Sequence, residues 1–281
     1  MNWNGVILSD SGGFQVFSLI HSKQWKGKIN ESGAEFKSPR DGQGYTLTPE
    51  SSIDIQMQIG SDILVVLDDC RKTEISRESA EESVKRTLDW AKRCKNHFEK
   101  KYGGTSKTGK LLSAVVQGAN FLDLREKCAE ELLKIGFDGY NFGGFLVDSK
   151  GNFVTKEVKA VADVLPDDKF KYAMGVGKPQ DIVKAAEFGY TVFDTVIPTR
   201  NARHGTLYTS DVKQGFIKIS NAKFSNDTSP IESDCDCEAC QNHNRAYIHH
   251  MLKVGEATGM TLATIHNLRH YQRLVEKLSI S

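Results

Sequence analysis

The chain has no run of eighteen apolar residues, so no segment of it reads as a membrane-spanning helix. Its N-terminus lacks the charged-then-apolar layout of a secretory leader, which makes the cytoplasm the expected compartment, with no membrane partner. Net charge is scarce too. With 37 Lys and Arg against 36 Asp and Glu the formal charge is +1, and the molecule as a whole has no strong field to attract a polyanion. No P-loop occurs, and no glycine-rich dinucleotide fingerprint follows a strand; Gly103-Gly104 and Gly175-Val176-Gly177 are too short for either. The six cysteines do not form a disulfide framework. Cys70, Cys94 and Cys128 are scattered, and the latter two sit in helical stretches as plain small residues.

What is there is a soluble, ordinary composition: 39% hydrophobic and 26% charged residues over 281 positions, a length common for a single barrel domain. Six apolar runs of strand length each end on residues that chemistry can use. Val6, Ile7 and Leu8 lead into Asp10-Ser11-Gly12-Gly13, and the run from Ile63 to Leu67 stops at Asp68-Asp69-Cys70. The run from Leu111 to Val116 stops at Gln117-Gly118, and Tyr140-Asn141-Phe142 leads into Gly143-Gly144. Tyr172-Ala173-Met174 meets Gly175-Val176-Gly177-Lys178, and the run from Tyr190 to Phe193 meets Asp194. In a parallel α/β protein the carboxyl ends of the strands gather on one face, where ligands bind.

Helical patterns alternate with these runs. Ser76 caps a helix with Glu78, Glu81 and Glu82 in its early turns and an apolar stripe through Ala80, Val84, Leu88, Ala91 and Phe98. A second helix is expected from Asp123 to Ile135, closed by Gly136, a third from Thr155 to Val164, and a fourth from Pro179 to Glu187. Strands separated by helices are βα units on a parallel sheet. The polar, glycine-rich stretch from about 21 to 50 does not fit that spacing and reads as an inserted hairpin or loop. The division expected is a barrel domain over 1–219 and a zinc-bearing helical subdomain over 220–281.

Cys235-x-Cys237-x-x-Cys240 brings three thiolates within six residues, close enough to converge on one tetrahedral ion, with zinc favoured. Spacing alone leaves His243, His249, His250 and His266 open as the fourth ligand. Four protein ligands make the ion structural, one per subunit. Asp10 and Asp194 supply the two carboxylates that exchange at an anomeric carbon requires, one as nucleophile and one moving protons. Asp68 is a candidate for reading donors on a heterocycle. Any single aspartate of this kind is more often a cap or turn residue, but three at strand ends beside glycine pairs are harder to explain so. Between Arg200 and Lys223 the chain carries Arg200, Arg203, Lys213, Lys218 and Lys223 against one acid, Asp211; a solvated face is the plain reading, and its place after the sixth run favours a phosphate-backbone contact.

These motifs resemble the tRNA-guanine transglycosylase family, the queuine tRNA-ribosyltransferases. The segments that carry the likeness are Ser9-Asp10-Ser11-Gly12-Gly13-Phe14-Gln15-Val16-Phe17, Asp68-Asp69-Cys70, Gln117-Gly118, Gly136-Phe137-Asp138-Gly139-Tyr140 and Gly175-Val176-Gly177-Lys178-Pro179. Phe193-Asp194 through Pro198-Thr199-Arg200-Asn201-Ala202-Arg203, the cysteine cluster and Thr264-Ile265-His266-Asn267-Leu268 complete it. The resemblance implies a (β/α)8 TIM-type barrel with a zinc subdomain, His266 as the fourth zinc ligand, and a pentosyltransferase that replaces guanine at the wobble position of G-U-N anticodons by a 7-deazaguanine. By the same match Asp194 is the nucleophile that holds the tRNA covalently and Asp10 the proton donor and acceptor. Ser11, Gly12, Gly13, Phe14, Asp68, Gln117, Gly144 and Met174 line the base slot, with Phe14 and Met174 sandwiching the ring. Gly175, Val176, Gly177, Lys178, Pro179, Gln180 and Asp181, with Thr199, Arg200, Asn201, Ala202 and Arg203, face the anticodon loop of the tRNA partner.

Two features depart from the family pattern. The chain begins at a segment internal to the family, so the barrel is expected to be incomplete, without its first two strands, and the C-terminus looks clipped after Ile280-Ser281. The loop after Gly144 carries Phe145 where bacterial members have Leu, and Asp148-Ser149 in place of Gly-Glu; Val147 favours preQ1 over the bulkier queuine. Bacterial members commonly form homodimers. The rival readings are a non-catalytic tRNA-binding partner subunit, an inactive fragment, and a retaining glycosidase, which would explain neither the cysteine cluster nor the basic strip.

Overall fold

The computed structural model describes residues 3–20 and 27–279. It forms two compact units, one of residues 1–176 and 184–193 and the other of residues 177–183 and 194–281.

Unit 1 is built on a six-stranded parallel sheet: β1 (Leu8–Ser9), β5 (Ile63–Val65), β6 (Leu111–Val116), β7 (Gly139–Phe142), β8 (Phe170–Ala173) and β9 (Val192–Phe193). Each of the six apolar runs contributes one of these strands. The strands lie side by side in chain order, with Leu8 opposite Ile63, Ile63 opposite Leu111, Ser113 opposite Gly139, Gly139 opposite Phe170 and Tyr172 opposite Val192. An order that never reverses sends every right-handed crossover the same way, which is barrel topology rather than the doubly wound kind. The sheet is accordingly a curled half-barrel. Its strands are buried over long stretches, as strands covered on both faces must be, with Val65, Val66, Leu67, Ala114, Val115, Val116 and Phe142 in the core.

The connecting helices follow the sequence signals. α3 (Arg77–His97) is capped by Ser76, whose side chain accepts from the Ser79 amide, and a π-turn over Phe98–Tyr102 runs on to Gly103. α5 (Leu122–Ile135) ends at Gly136, and α6 (Thr155–Val164) and α7 (Pro179–Glu187) have the expected bounds. The periodicity argument did not anticipate α1 (Gly13–Ile20) or α2 (Pro49–Ile59). α2 has a reciprocal cap, Thr48 with Ser51, Pro49 in its first turn and Gly60 at its end, so its signals are local after all. The stretch expected as an inserted hairpin holds a three-stranded antiparallel sheet, β2 (Lys28–Asn30), β3 (Gly33–Lys37) and β4 (Gly44–Leu47). Residues 21–26 of that stretch lie outside the described residues, as do positions 280–281. A short helix, α4 (Gly104–Thr108), precedes β6.

Unit 2 holds α8 (Ile197–Arg203), the antiparallel pair β10 (Thr206–Tyr208) and β11 (Phe216–Lys218), and α9 (Glu238–Asn242), α10 (Arg245–Lys253) and α11 (Ala257–Leu278). Its core joins Ala202, Leu207, Ile217, Ile219, Ile248 and Ala263 to the three clustered cysteines. No helix among the described residues is long and apolar enough to cross a membrane.

Candidate active site and metal centre

In unit 1 the ends of β1, β5, β6 and β7 meet around Asp68. The Gln117 amide Nε2 donates to Asp68 Oδ2 at 2.6 Å. A Cβ added at Gly13 would lie 2.7 Å from Asp68 Oδ1, and one at Gly143 would lie 2.6 Å from Gln117 Nε2, so both glycines are needed to let these side chains in. Gly144 has φ +87 and sits beside the Gln117 carbonyl oxygen. Asp68 is 7% exposed. Desolvation is the main force that pushes its carboxyl up to about 7; Gln117 opposes it, and the charges of Asp10 and Asp69 add to it. Asp69, also buried, is solved differently: Arg71 grips it at 2.9 and 3.0 Å, and Arg86 holds its other side. Asp68 has no such cation among the described residues.

Asp10 is half-buried and accepts from the Ser11 amide at 2.8 Å; Ser11 Oγ in turn accepts from Gly13 N at 3.2 Å. Gly12 has φ +87, which permits this tight turn into α1. Phe14, on the first turn of α1, is 47% exposed and meets Phe145 edge-on at 5.8 Å, with Phe17 behind both. Met174 follows β8 and is half-buried.

Two buried residues with no local motif hold this arrangement. Arg125 on α5 donates to the carbonyls of Ala119, Val116 and Gly143 at 2.8, 3.0 and 3.1 Å and lies 3.9 Å from the Phe142 ring centroid. It ties the loop after β6 to the loop after β7, the loops that carry Gln117 and Gly144. Burial without a carboxylate partner draws its guanidinium down to about 10. Gly118 is required here, since a Cβ there would lie 2.6 Å from Arg125 Cγ. Gln56 on α2 pairs with the Val65 backbone at 2.8 and 2.9 Å and accepts from Ser9 Oγ at 3.0 Å, which fastens β1 to β5.

In unit 2, Asp194 is exposed and follows β9 directly in the chain. Thr195 Oγ1 then accepts from Ile197 N, the first residue of α8, at 3.1 Å. Arg200 and Arg203 lie three residues apart on α8, hence on one face, and both are exposed. Thr199 bonds back to the Val196 carbonyl, Asn201 donates to the Tyr208 hydroxyl at 2.8 Å, and Ala202 is fully buried. Of the segment 175–181, Gly175, Lys178 and Gln180 are exposed, Pro179 is half-buried, and Val176 and Asp181 are buried. Burial raises the Asp181 carboxyl, against the pull of Lys178. Gly177 allows close approach to Ile197, and its carbonyl accepts from Tyr271 at 2.8 Å.

Cys235, Cys237, Cys240 and His266 are all buried, with their ligand atoms within 4.8 Å of one another. The three Sγ atoms lie 3.8, 3.7 and 3.3 Å from His266 Nδ1. A tetrahedral zinc with ordinary bond lengths needs about 3.6 Å between a sulfur and a nitrogen. His266 Nε2 donates to the Tyr208 carbonyl at 2.6 Å, which fixes the tautomer and leaves Nδ1 for an ion. Hydrogen bonding from Cys240 pulls the Cys237 thiol down and drives Cys240 up in turn. The donor set therefore fits a zinc ion. His243, His249 and His250 lie outside the cluster. Asn267, next to the histidine, accepts from Tyr208 N at 3.0 Å and donates to the Pro198 and Thr206 carbonyls at 2.9 and 3.0 Å, so one turn of α11 binds both the metal cluster and α8.

The family described as queuine tRNA-ribosyltransferase matches this chain over residues 1–279. The chain belongs to that family. The queuine tRNA-ribosyltransferase of Blochmanniella floridana is 46% identical over 279 residues, which are 99% of this chain and 71% of the relative. Those of Thermodesulfovibrio yellowstonii and Acinetobacter baylyi are 46% and 43% identical, over 99% and 98% of this chain and 70% and 69% of their own lengths. Within the queuine tRNA-ribosyltransferase fold, the strand-end and cysteine motifs and the segment around His266 and Asn267 are visible in sequence, whereas Gln56 and Arg125 are not. Their only signal is a polar residue on the buried face of an amphipathic helix.

Proposed function

We propose that the protein is a tRNA-guanine transglycosylase, a pentosyltransferase that exchanges guanine at the wobble position of G-U-N anticodons for a 7-deazaguanine, preQ1 in preference to queuine, in queuosine biosynthesis. The observation that carries this reading is the buried Asp68–Gln117 pair. A carboxylate with two acceptor oxygens and no cation beside it among the described residues matches the adjacent N1–H and 2-amino donors of a guanine-like edge; adenine presents no such pair. Gln117 and the Gly144 amide serve the O6 side, and Phe14 offers a ring face to the flipped base.

The exchange is a double displacement. An Asp194 carboxylate oxygen attacks ribose C1′, and the C1′–N9 bond breaks with its electron pair leaving on the base, which takes a proton from Asp10. The incoming base returns a proton to Asp10, and its nitrogen displaces Asp194 from C1′. Two inversions retain the anomeric configuration, and one glycosyl bond is exchanged for another, so no nucleotide hydrolysis is required. Arg200 and Arg203 hold phosphates of the anticodon loop. A zinc ion on the cysteine cluster and His266 acts as a structural cross-link in the unit that bears α8.

The test is incorporation of radiolabelled guanine into tRNA with a G-U-N anticodon. Asp194→Ala should lose at least about a thousandfold in rate, together with the denaturant-stable protein–tRNA adduct. Wild-type exchange by a folded Asp194→Ala protein would sink the reading.

A further inference from the structure

Unit 2 contains a cavity of about 400 Å³ between the end of α8, the segment after β11 and the end of α10. Its polar lining includes Arg203, His204, Ser220, His249 and Lys253, and no carboxylate lines it. Arg203, His204 and Lys253 are exposed, and cations at the carboxyl ends of α8 and α10 are what helix dipoles alone would select. That account does not reach His249. Its ring is 6% exposed, its Nδ1 donates to the Ile219 carbonyl at 2.7 Å, and its Nε2 has no protein partner among the described residues. This imidazole is committed at Nδ1 and open at Nε2, in a cavity ringed by cations, and as the imidazolium it donates from Nε2 to an acceptor there.

From this we infer that the cavity is a phosphate site, and that its occupant is a backbone phosphodiester of the RNA substrate adjoining the anticodon-loop phosphates, with Arg203 at the junction. Arg203 and Lys253 supply the charge, Ser220 a hydroxyl donor, and the His249 imidazolium an Nε2–H that opens on the cavity. The site deepens the proposed function by extending the RNA track past Arg200 and Arg203. Its chemistry is shared by free phosphate, and the two sources can be separated.

The first arm titrates inorganic phosphate into the zinc-loaded wild-type protein and follows the His249 ring by NMR, with His249→Gln to assign the signal. The second measures binding of a tRNA transcript against salt for wild type, Lys253→Ala and Lys253→Glu. Guanine exchange is assayed separately, so that failure of the transferase reading is visible on its own. The expected result is a phosphate-induced shift of His249, a salt slope smaller by about one for Lys253→Ala, and RNA affinity down about tenfold for Lys253→Glu. A phosphate shift with unchanged RNA affinity in both Lys253 variants would overturn the RNA assignment in favour of a small phosphate ligand. No shift of His249 and unchanged RNA binding in folded variants would overturn the site altogether.

Discussion

Asp68 in unit 1 and the Cys235–His266 cluster in unit 2 are both buried groups that chemistry requires to be charged, and the protein treats them in opposite ways. The cluster is complete within itself: three sulfurs and one nitrogen stand at the spacing of an ion, with the histidine tautomer fixed from behind by the Tyr208 carbonyl. Asp68 is left incomplete. Its neighbour Asp69 has two arginines, whereas Asp68 has one amide and two like charges nearby. A buried charge matched by a resident partner holds a fold together, and under the proposed function the one left unmatched receives the donors of the base.

Removing the ion should have the largest effect. A Cys240→Ser protein, or one treated with a chelator, should fall from one zinc per chain to near zero by atomic emission. Its unit 2 should melt more than about 10 °C lower, because structural zinc binding is folding energy. An unchanged melting curve in the metal-free protein would erase the contrast drawn above.

Asp68→Asn should do the reverse. It should lose base exchange by at least about a hundredfold and gain stability. The folded-state carboxyl titrates at about 7, above its ordinary 3.8, so the fold favours the protonated form. The cost of ionising it is absent below pH about 4, grows as pH rises and is fully present above about 7, up to about 4 kcal/mol. The melting temperature gained by the Asn variant should therefore be small at pH 4 and largest at pH 8.

The same ionisation should shape substrate binding. A guanine edge needs the carboxylate, so the KM for guanine should be flat above pH 7 and rise about tenfold per unit below it. A flat wild-type profile between pH 5.5 and 7 would mean that Asp68 does not receive the donors.

The smallest effect sharpens the structural side. Asn267→Ala frees the Pro198 and Thr206 carbonyls and the Tyr208 amide, each buried, at a cost of about 1–3 kcal/mol in stability. RNA affinity should drop several-fold through a looser α8, with the KM for guanine unchanged. A changed guanine KM would argue against this division of labour.

The sequence by itself determined the elements whose signals are local. The six strands, the Ser76 and Gly136 helix boundaries, the Pro179 start of α7 and the cysteine cluster all follow from period, cap chemistry and spacing within a few residues. It also put polar residues or glycine pairs at the strand ends, the edge of a parallel sheet where side chains reach a ligand. The three strands β2 to β4 were harder to read, because a polar antiparallel sheet has little apolar alternation to betray it. Only the tertiary structure showed that, among the described residues, Asp69 has two arginines and Asp68 none. It alone decided that Arg125 and Gln56 lock the loops that carry Gln117 and Gly144 and the strands that carry Asp10 and Asp68. It alone joined His266 and Asn267 to Tyr208 and α8. The reason is that charge compensation and buried hydrogen bonds are settled between residues dozens of positions apart, where no local pattern records which partner a polar group will find.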